Sequence, residues 1–202
     1  SKLFVMALRV RKQFLYENRK NVKAAIIVWD QQEKYLDRKH VIEAAWNWIN
    51  MTIPVISSTF ASFSRMCKNL GAETLGHLFI DEAGQALPQA AVGAIYRSRH
   101  VMVVGDPLQI KPVLTLDSNT LYMLGEHFGV TEKYLSASAS AQILADAASQ
   151  YGFYRKQDKA EDSWVGIPLW VHRRCRYPMF TISNMISYDG FMVQGMEKYG
   201  KT

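Results

Sequence analysis

The sequence predicts an α/β fold, a mostly parallel sheet flanked by helices, with a helical segment ahead of it. Three observations carry this. Leu78-Phe79-Ile80 is an apolar run that stops on Asp81 and Glu82 and then on small residues. Val101-Met102-Val103-Val104 is a second such run, stopping on Gly105-Asp106-Pro107. Short continuous apolar runs bounded by polar turns read as strands covered on both faces, the habit of parallel sheets. Thirdly, no Gly or Pro occurs before Pro54, and that stretch places apolar residues at helical spacing.

In chain order, Leu3, Met6, Val10 and Phe14, then Val22, Ile26, Trp29 and Leu36, predict two helices or one interrupted helix. A third helix over Val41 to Ile49 is expected to turn Ala44, Ala45 and Trp48 inward and to leave Trp46 on another face. Pro54 marks the join to the sheet, so residues 1–50 and 51–202 are expected as separate regions. Val55-Ile56-Ser57-Ser58-Thr59 reads as a short strand, followed by a helix from about Ala61 to Leu70. Hydroxyls at that junction also suit a helix N-cap.

Pro88 is placed for the first turn of a helix reaching about Tyr96, with Ala91, Val92 and Ile95 inward. Helices are expected around Leu121 to His127 and from Ala141 to about Gln150, with a charged loop over 152–164. Leu169-Trp170-Val171 reads as a last strand, Pro178 opens a helix through Ile186, and Asp189-Gly190 forms a turn before Phe191-Met192-Val193.

At 202 residues and 49% hydrophobic content, the chain is long enough to bury one substantial core. Its longest apolar runs, such as Ala24 to Trp29, fall far short of the roughly 18 residues of a membrane span, so no membrane partner and a cytoplasmic address are expected. Cys67 and Cys175 lack metal-ligand spacing and read as free thiols. Of the 24 Lys and Arg and 18 acids, ten and four fall in residues 1–40, so the whole +6 excess is N-terminal. Such a basic, partly aromatic stretch suits a nucleic-acid contact as well as a solvated helix face.

Two acids at the end of a strand suit metal-assisted hydrolysis, because neighbouring strand residues point to opposite faces and can divide metal holding from water activation. A surface turn would use the same residues. With Asp81-Glu82-Ala83-Gly84-Gln85-Ala86 and Gly105-Asp106-Pro107-Leu108-Gln109-Ile110-Lys111-Pro112-Val113 both in view, the chain resembles the superfamily 1 helicases of the DEAxQ type. The first stretch is similar to their motif II (Walker B) and the second to their motif III. Leu169-Trp170-Val171-His172-Arg173-Arg174-Cys175 resembles a later LxVQYRM-type motif, with His172 and Arg173 departing from it. Ser187-Tyr188-Asp189-Gly190 resembles the turn that follows.

The resemblance covers roughly residues 54–193 and implies part of a RecA-like P-loop NTPase domain. It implies ATP and Mg²⁺ as cofactors, with Asp81 on the metal and Glu82 polarising the attacking water. Gln85, Gly105 and Asp106 would support the nucleotide, Gln109 would sense the γ-phosphate, and Arg174 would stabilise transition-state charge. Ser58 and Thr59 would touch the backbone of single-stranded DNA or RNA. Arg173 and Arg176 are expected to face solvent or nucleic acid.

The family's phosphate loop belongs upstream of motif II. Gly71 to Leu78 has its glycine spacing but puts His77 and Leu78 where Lys and Ser or Thr are required. Gly195-Met196-Glu197-Lys198-Tyr199-Gly200-Lys201-Thr202 matches the pattern in full but follows motif II. These 202 residues are therefore expected to be a fragment, acting with the remaining helicase domains of the same chain and hydrolysing ATP negligibly alone. Two alternatives stand beside this reading. One is a non-catalytic scaffold binding nucleic acid or a partner. The other is a small metal-dependent hydrolase using Asp81 and Asp106, which lacks a further His or acid cluster.

Overall fold

A computed structural model describes residues 2–106, 110–113, 116–131, 134–135, 139–155 and 163–196. The elements in order are helices α1 (Lys2–Glu17), α2 (Arg19–Asp30), α3 (Lys39–Thr52) and α4 (Phe60–Met66), then strand β1 (Leu75–Ile80), helix α5 (Pro88–Tyr96) and strand β2 (Ser98–Val103). Helices α6 (Ser118–Phe128) and α7 (Ala141–Ala148) follow, then strands β3 (Phe153–Arg155), β4 (Ser163–Val165) and β5 (Val171–His172), helix α8 (Met179–Ser187) and strand β6 (Val193–Gln194). The chain divides into two compact units, residues up to 79 with 89–102, and residues 80–88 with those from 103 onward.

In the first unit α2 packs along α3, and the core is Ile42, Trp46, Cys67 and Leu70, with Tyr35, Phe63, Met66 and Leu75 packed around it. Trp46 meets Trp29 edge to face at 6.0 Å between ring centroids. The inward face of α3 is therefore set by Ile42, Ala45 and Trp46, while Ala44 is exposed and Trp48 half-buried. This corrects the expected face. Ile42, Ala45 and Trp46 stand at i, i+3 and i+4, which is one face of a helix, and the large ring of Trp46 carries that face into the core. Arg97 ties α4 to the start of β2, its Nε donating to Cys67 O at 2.9 Å and to Leu70 O at 3.1 Å.

Residues 55–59 form no strand. Val55 is 82% exposed, and Thr59 instead caps α4, its side chain accepting the Ser62 N–H at 3.3 Å. A β-branched run supplies strand propensity, but a strand also needs a neighbouring ladder. In α5, Pro88 opens the helix as expected; Ala91 and Ala94 are buried and Val92 lies outside. The stripe Leu3, Met6, Val10 and Phe14 is helical and exposed.

Strands β1 and β2 pair. Their flanking hydrogen bonds, Leu75 N to Arg97 O and Val104 N to Ile80 O, advance together along both chains, so the pair is parallel. Strands β5 and β6 also pair in parallel, Val171 opposite Val193, while β3 and β4 are antiparallel with Tyr154 opposite Trp164. Residues 153–155 and 163–164 are strand where a loop is expected over 152–164, and residues 156–162 lie outside the described residues. Phe153, Tyr154, Trp164 and Val165 have high strand propensity, but each run is three residues long, too short for a pattern to register. The class is α/β with parallel pairs and flanking helices plus an N-terminal helical segment, consistent with part of a RecA-like domain. Among the described residues, the strands are distributed over separate pairs and do not share one sheet. Among the described residues, no helix is long and apolar enough to cross a membrane.

In the second unit, Asp117 caps α6. It accepts the Thr120 N–H at 3.0 Å and the Thr120 hydroxyl at 2.6 Å, and that hydroxyl, with the backbone N–H behind it, lowers the Asp117 pKa. Gly129, at φ 66°, closes the helix in the left-handed conformation that glycine adopts without a Cβ clash.

Two outcomes test the first core. Ile42 is fully buried, so Ile42→Ala should destabilise the fold by about 2–5 kcal/mol in denaturant titration. Burial pushes the Cys67 thiol up to about 11, a shift that Arg97 partly offsets. Its neutral form therefore stabilises the fold below its unfolded pKa, a contribution lost as pH rises through about 11. Iodoacetamide at pH 8 should label half-buried Cys175 and spare Cys67 until the fold is opened.

Candidate functional site

The candidate site is built where β1 and β2 end. Strand β1 stops at buried Ile80, and the chain turns through Asp81 and Glu82 into a 3₁₀ turn over Ala83–Gln85. The acids therefore lie past the strand, where the alternation of strand faces does not apply. Two local devices separate them instead. Asp81 Oδ1 accepts the Glu82 N–H at 2.9 Å, and Glu82 sits in the left-handed region at φ 52°. For a residue with a Cβ that conformation costs about 1 kcal/mol, and such strain gathers at functional sites. Gln85 Nε2 donates to Glu82 Oε2 at 3.2 Å. Asp81, Glu82 and Gln85 are all exposed, so the carboxylates face outward from a buried base of Ala83 and Gly84.

This turn lies backbone against backbone on the end of β2. Ala83 N–H donates to Val104 O at 3.1 Å. A Cβ on Gly84 would stand 2.6 Å from Asp106 O, and one on Gly105 would stand 2.7 Å from Gly84 N and 2.8 Å from Ala83 N. Both positions accept only glycine without a backbone shift. Motif II and motif III are thereby in contact through Gly84 and Gly105.

Half-buried Asp106 is held from another direction. Its Oδ2 accepts a hydrogen bond from the Tyr188 hydroxyl, which lies in the turn after α8. That turn is itself braced. Asn184 donates to Met192 O at 2.9 Å and accepts the Met192 N–H at 3.0 Å, and Arg155 pairs with Asp189 at 3.2 Å. Asp189 and Gly190 both take positive φ.

Arg174 follows β5 in a tight turn. Its brace is His172, whose Nε2 accepts the Cys175 N–H at 2.8 Å and whose ring lies 5.5 Å from that of Phe180. Arg174 is exposed and makes no ion pair among the described residues, as is Arg173; Arg176 is half-buried. Gln109 lies outside the described residues, as do residues 197–202 of the C-terminal glycine pattern. The earlier pattern from Gly71 runs into β1, with His77 and Leu78 on the strand itself, so it opens no helix. Ser58 and Thr59 are exposed, with Thr59 committed to capping α4.

The structure thus brings together Asp81, Glu82, Gln85, Gly105 and Asp106. Sequence reasoning missed three participants, Gly84, Gln142 and the Tyr188 contact. Gln142 stands 3.0 Å from a Cβ position on Gly105. Gly84 carried a signal, a glycine next to acids at a strand end; Gln142 carried none.

Among the described residues no group of three His, Cys, Asp or Glu could hold a metal by itself. Mg²⁺ ordinarily takes one or two carboxylates and completes its shell with phosphate oxygens and water. An exposed Asp81 with one oxygen bonded to backbone fits that demand.

A family model described as an AAA domain matches residues 6–116, more than half of the chain, from α1 through the end of motif III. No curated protein and no solved structure gives a match.

Backbone contact at Gly105 yields a direct test. Gly105→Ala should destabilise the fold by about 1–3 kcal/mol through overpacking. Gly76→Ala, whose Cβ would meet nothing within 4 Å, should stay near the parent in the same denaturant titration.

Proposed function

The chain belongs to the AAA domain family, helicase-like P-loop ATPases that generally bind ATP with Mg²⁺, and from that premise we propose that it is the motif II to motif III portion of a superfamily 1 helicase or translocase. The observation that carries the reading is the packing of Asp81-Glu82-Ala83-Gly84-Gln85 onto Gly105-Asp106 at the ends of a parallel strand pair. Open α/β sheets bind ligands at the carboxyl ends of their strands. Two motifs far apart in sequence meet there.

In this reading Asp81 would hold the metal through its carboxylate. Glu82 orients and deprotonates the attacking water, with its carboxylate steered by the Gln85 amide. Bound Mg²⁺ would neutralise charge on the phosphate oxygens. Gly105 and Asp106 shape the floor of the nucleotide site, and Tyr188 fixes the Asp106 rotamer. Gln109 links the γ-phosphate to the nucleic-acid groove, and Arg174 stabilises developing charge, a task suited to its permanent charge and forked donors. Single-stranded DNA or RNA is the proposed track. Exposed Lys2, Arg9, Lys12, Lys20 and Lys23 on α1 and α2 supply phosphate contacts, and Ser58 and Thr59 supply hydroxyls.

The test is made on the complete protein, measuring nucleotide affinity with basal and nucleic-acid-stimulated turnover. Glu82→Gln should keep nucleotide affinity and lose about 10²-fold or more in turnover, as for a positioned general base. Gln85→Ala should lose less, because it only steers Glu82. Gln109→Ala should keep basal turnover and lose stimulation. Stimulated turnover in Glu82→Gln close to the parent would refute the assignment and favour a non-catalytic scaffold.

A further inference from the structure

Helix α7 touches the strand-end site at one end and a different segment at the other. At its start, Ser140 caps the helix and the Ala141 N–H donates to Ala86 O at 2.8 Å, fastening it behind motif II. Gln142 comes next. Its Oε1 is buried, finds no hydrogen-bond partner among the described residues, and lies 3.0 Å from the Cβ position of Gly105.

One helical turn on stands Asp146, only 7% exposed. Its Oδ1 accepts from Gln142 Nε2 at 3.0 Å and from the Gly166 N–H at 3.1 Å. Gly166 is buried, and a Cβ there would stand 2.8 Å from that same oxygen. From Gly166 the chain runs through Trp170 into β5, and Arg174 lies two residues beyond that strand.

A half-buried amide, its oxygen fully buried, beside a buried carboxylate is a costly way to pack a short helix, because apolar side chains of like volume would need no partners. A line of polar contacts, however, transmits position where apolar packing would slip. On the reading of the site given above, we propose that Gln142 and Asp146 are positioning residues that couple the end of β2 at Gly105 to the Gly166–Trp170 segment. They set Arg174 relative to the acids of motif II, although neither touches the reacting groups.

The test uses ATP turnover by the complete protein. Gln142→Glu sets two carboxylates face to face and breaks the line. This variant should lose about tenfold in kcat, the order expected for misplacing a group by a fraction of an ångström, with KM for ATP within about twofold of the parent. Gln142→Leu, which keeps volume without polarity, should show the same kcat loss with an unchanged melting temperature, and it decides the matter if Gln142→Glu does not fold. Parent-like kcat in Gln142→Leu would overturn the positioning role alone. A parent without ATP turnover would overturn the site reading and this role with it.

Discussion

The second unit depends on two backbones approaching within van der Waals contact at Gly84 and Gly105. Peptide groups can come this close only where neither carries a Cβ, so the pair works as a fixed joint between the turn after β1 and the end of β2. The joint is also a hydrogen-bonded one. Ile80 O accepts from Val104, and Val104 O accepts from Ala83, so the ladder of the parallel pair continues past the strands into the turn. Asp81 and Glu82 are held by this extension of the ladder and need no support from side chains beneath them.

Once the joint is set, the neighbouring elements follow. Ala86 O at the end of the 3₁₀ turn takes the first free N–H of α7, satisfying a donor that the start of any helix leaves open. Asp106, one residue past Gly105, reaches the Tyr188 hydroxyl, so the turn after α8 is drawn to the same strand end. Asn184 and Arg155 then hold that turn. Asn184 and Asp106 are buried or half-buried polar groups that these links pair, and this makes the arrangement specific as well as stable.

The chain is legible in sequence where local chemistry decides the structure. Pro88 and Pro178 can be read because proline is tolerated at the start of a helix and not within one, and α5 and α8 begin there. The acid pair and the Gly-Asp pair can be read because they interrupt apolar runs. Legibility fails where a distant partner decides. Residues 55–59 have strand propensity and no ladder; residues 153–155 and 163–165 have propensity and a ladder but are runs of three, too short to read as strands. Trp46 enters the core because Trp29 and the α4 segment leave room for its ring. In the site, Gln142 and Gly166 matter only through what lies against them.

Two carboxylates of nearly equal chemistry stand side by side at positions 81 and 82, and the backbone is what makes them different. Asp81, with a short side chain, folds back onto the following N–H, which fixes one of its oxygens. Glu82 has one more methylene and a left-handed backbone, so its carboxylate is carried off the strand axis to the Gln85 amide. Exchanging the two residues would preserve charge and lose both arrangements. Glutamate is too long for the tight bond to its neighbour's N–H, and aspartate at position 82 would fall short of Gln85. The order Asp-Glu is therefore a geometric requirement of this turn, with chain length assigning the acids their separate places.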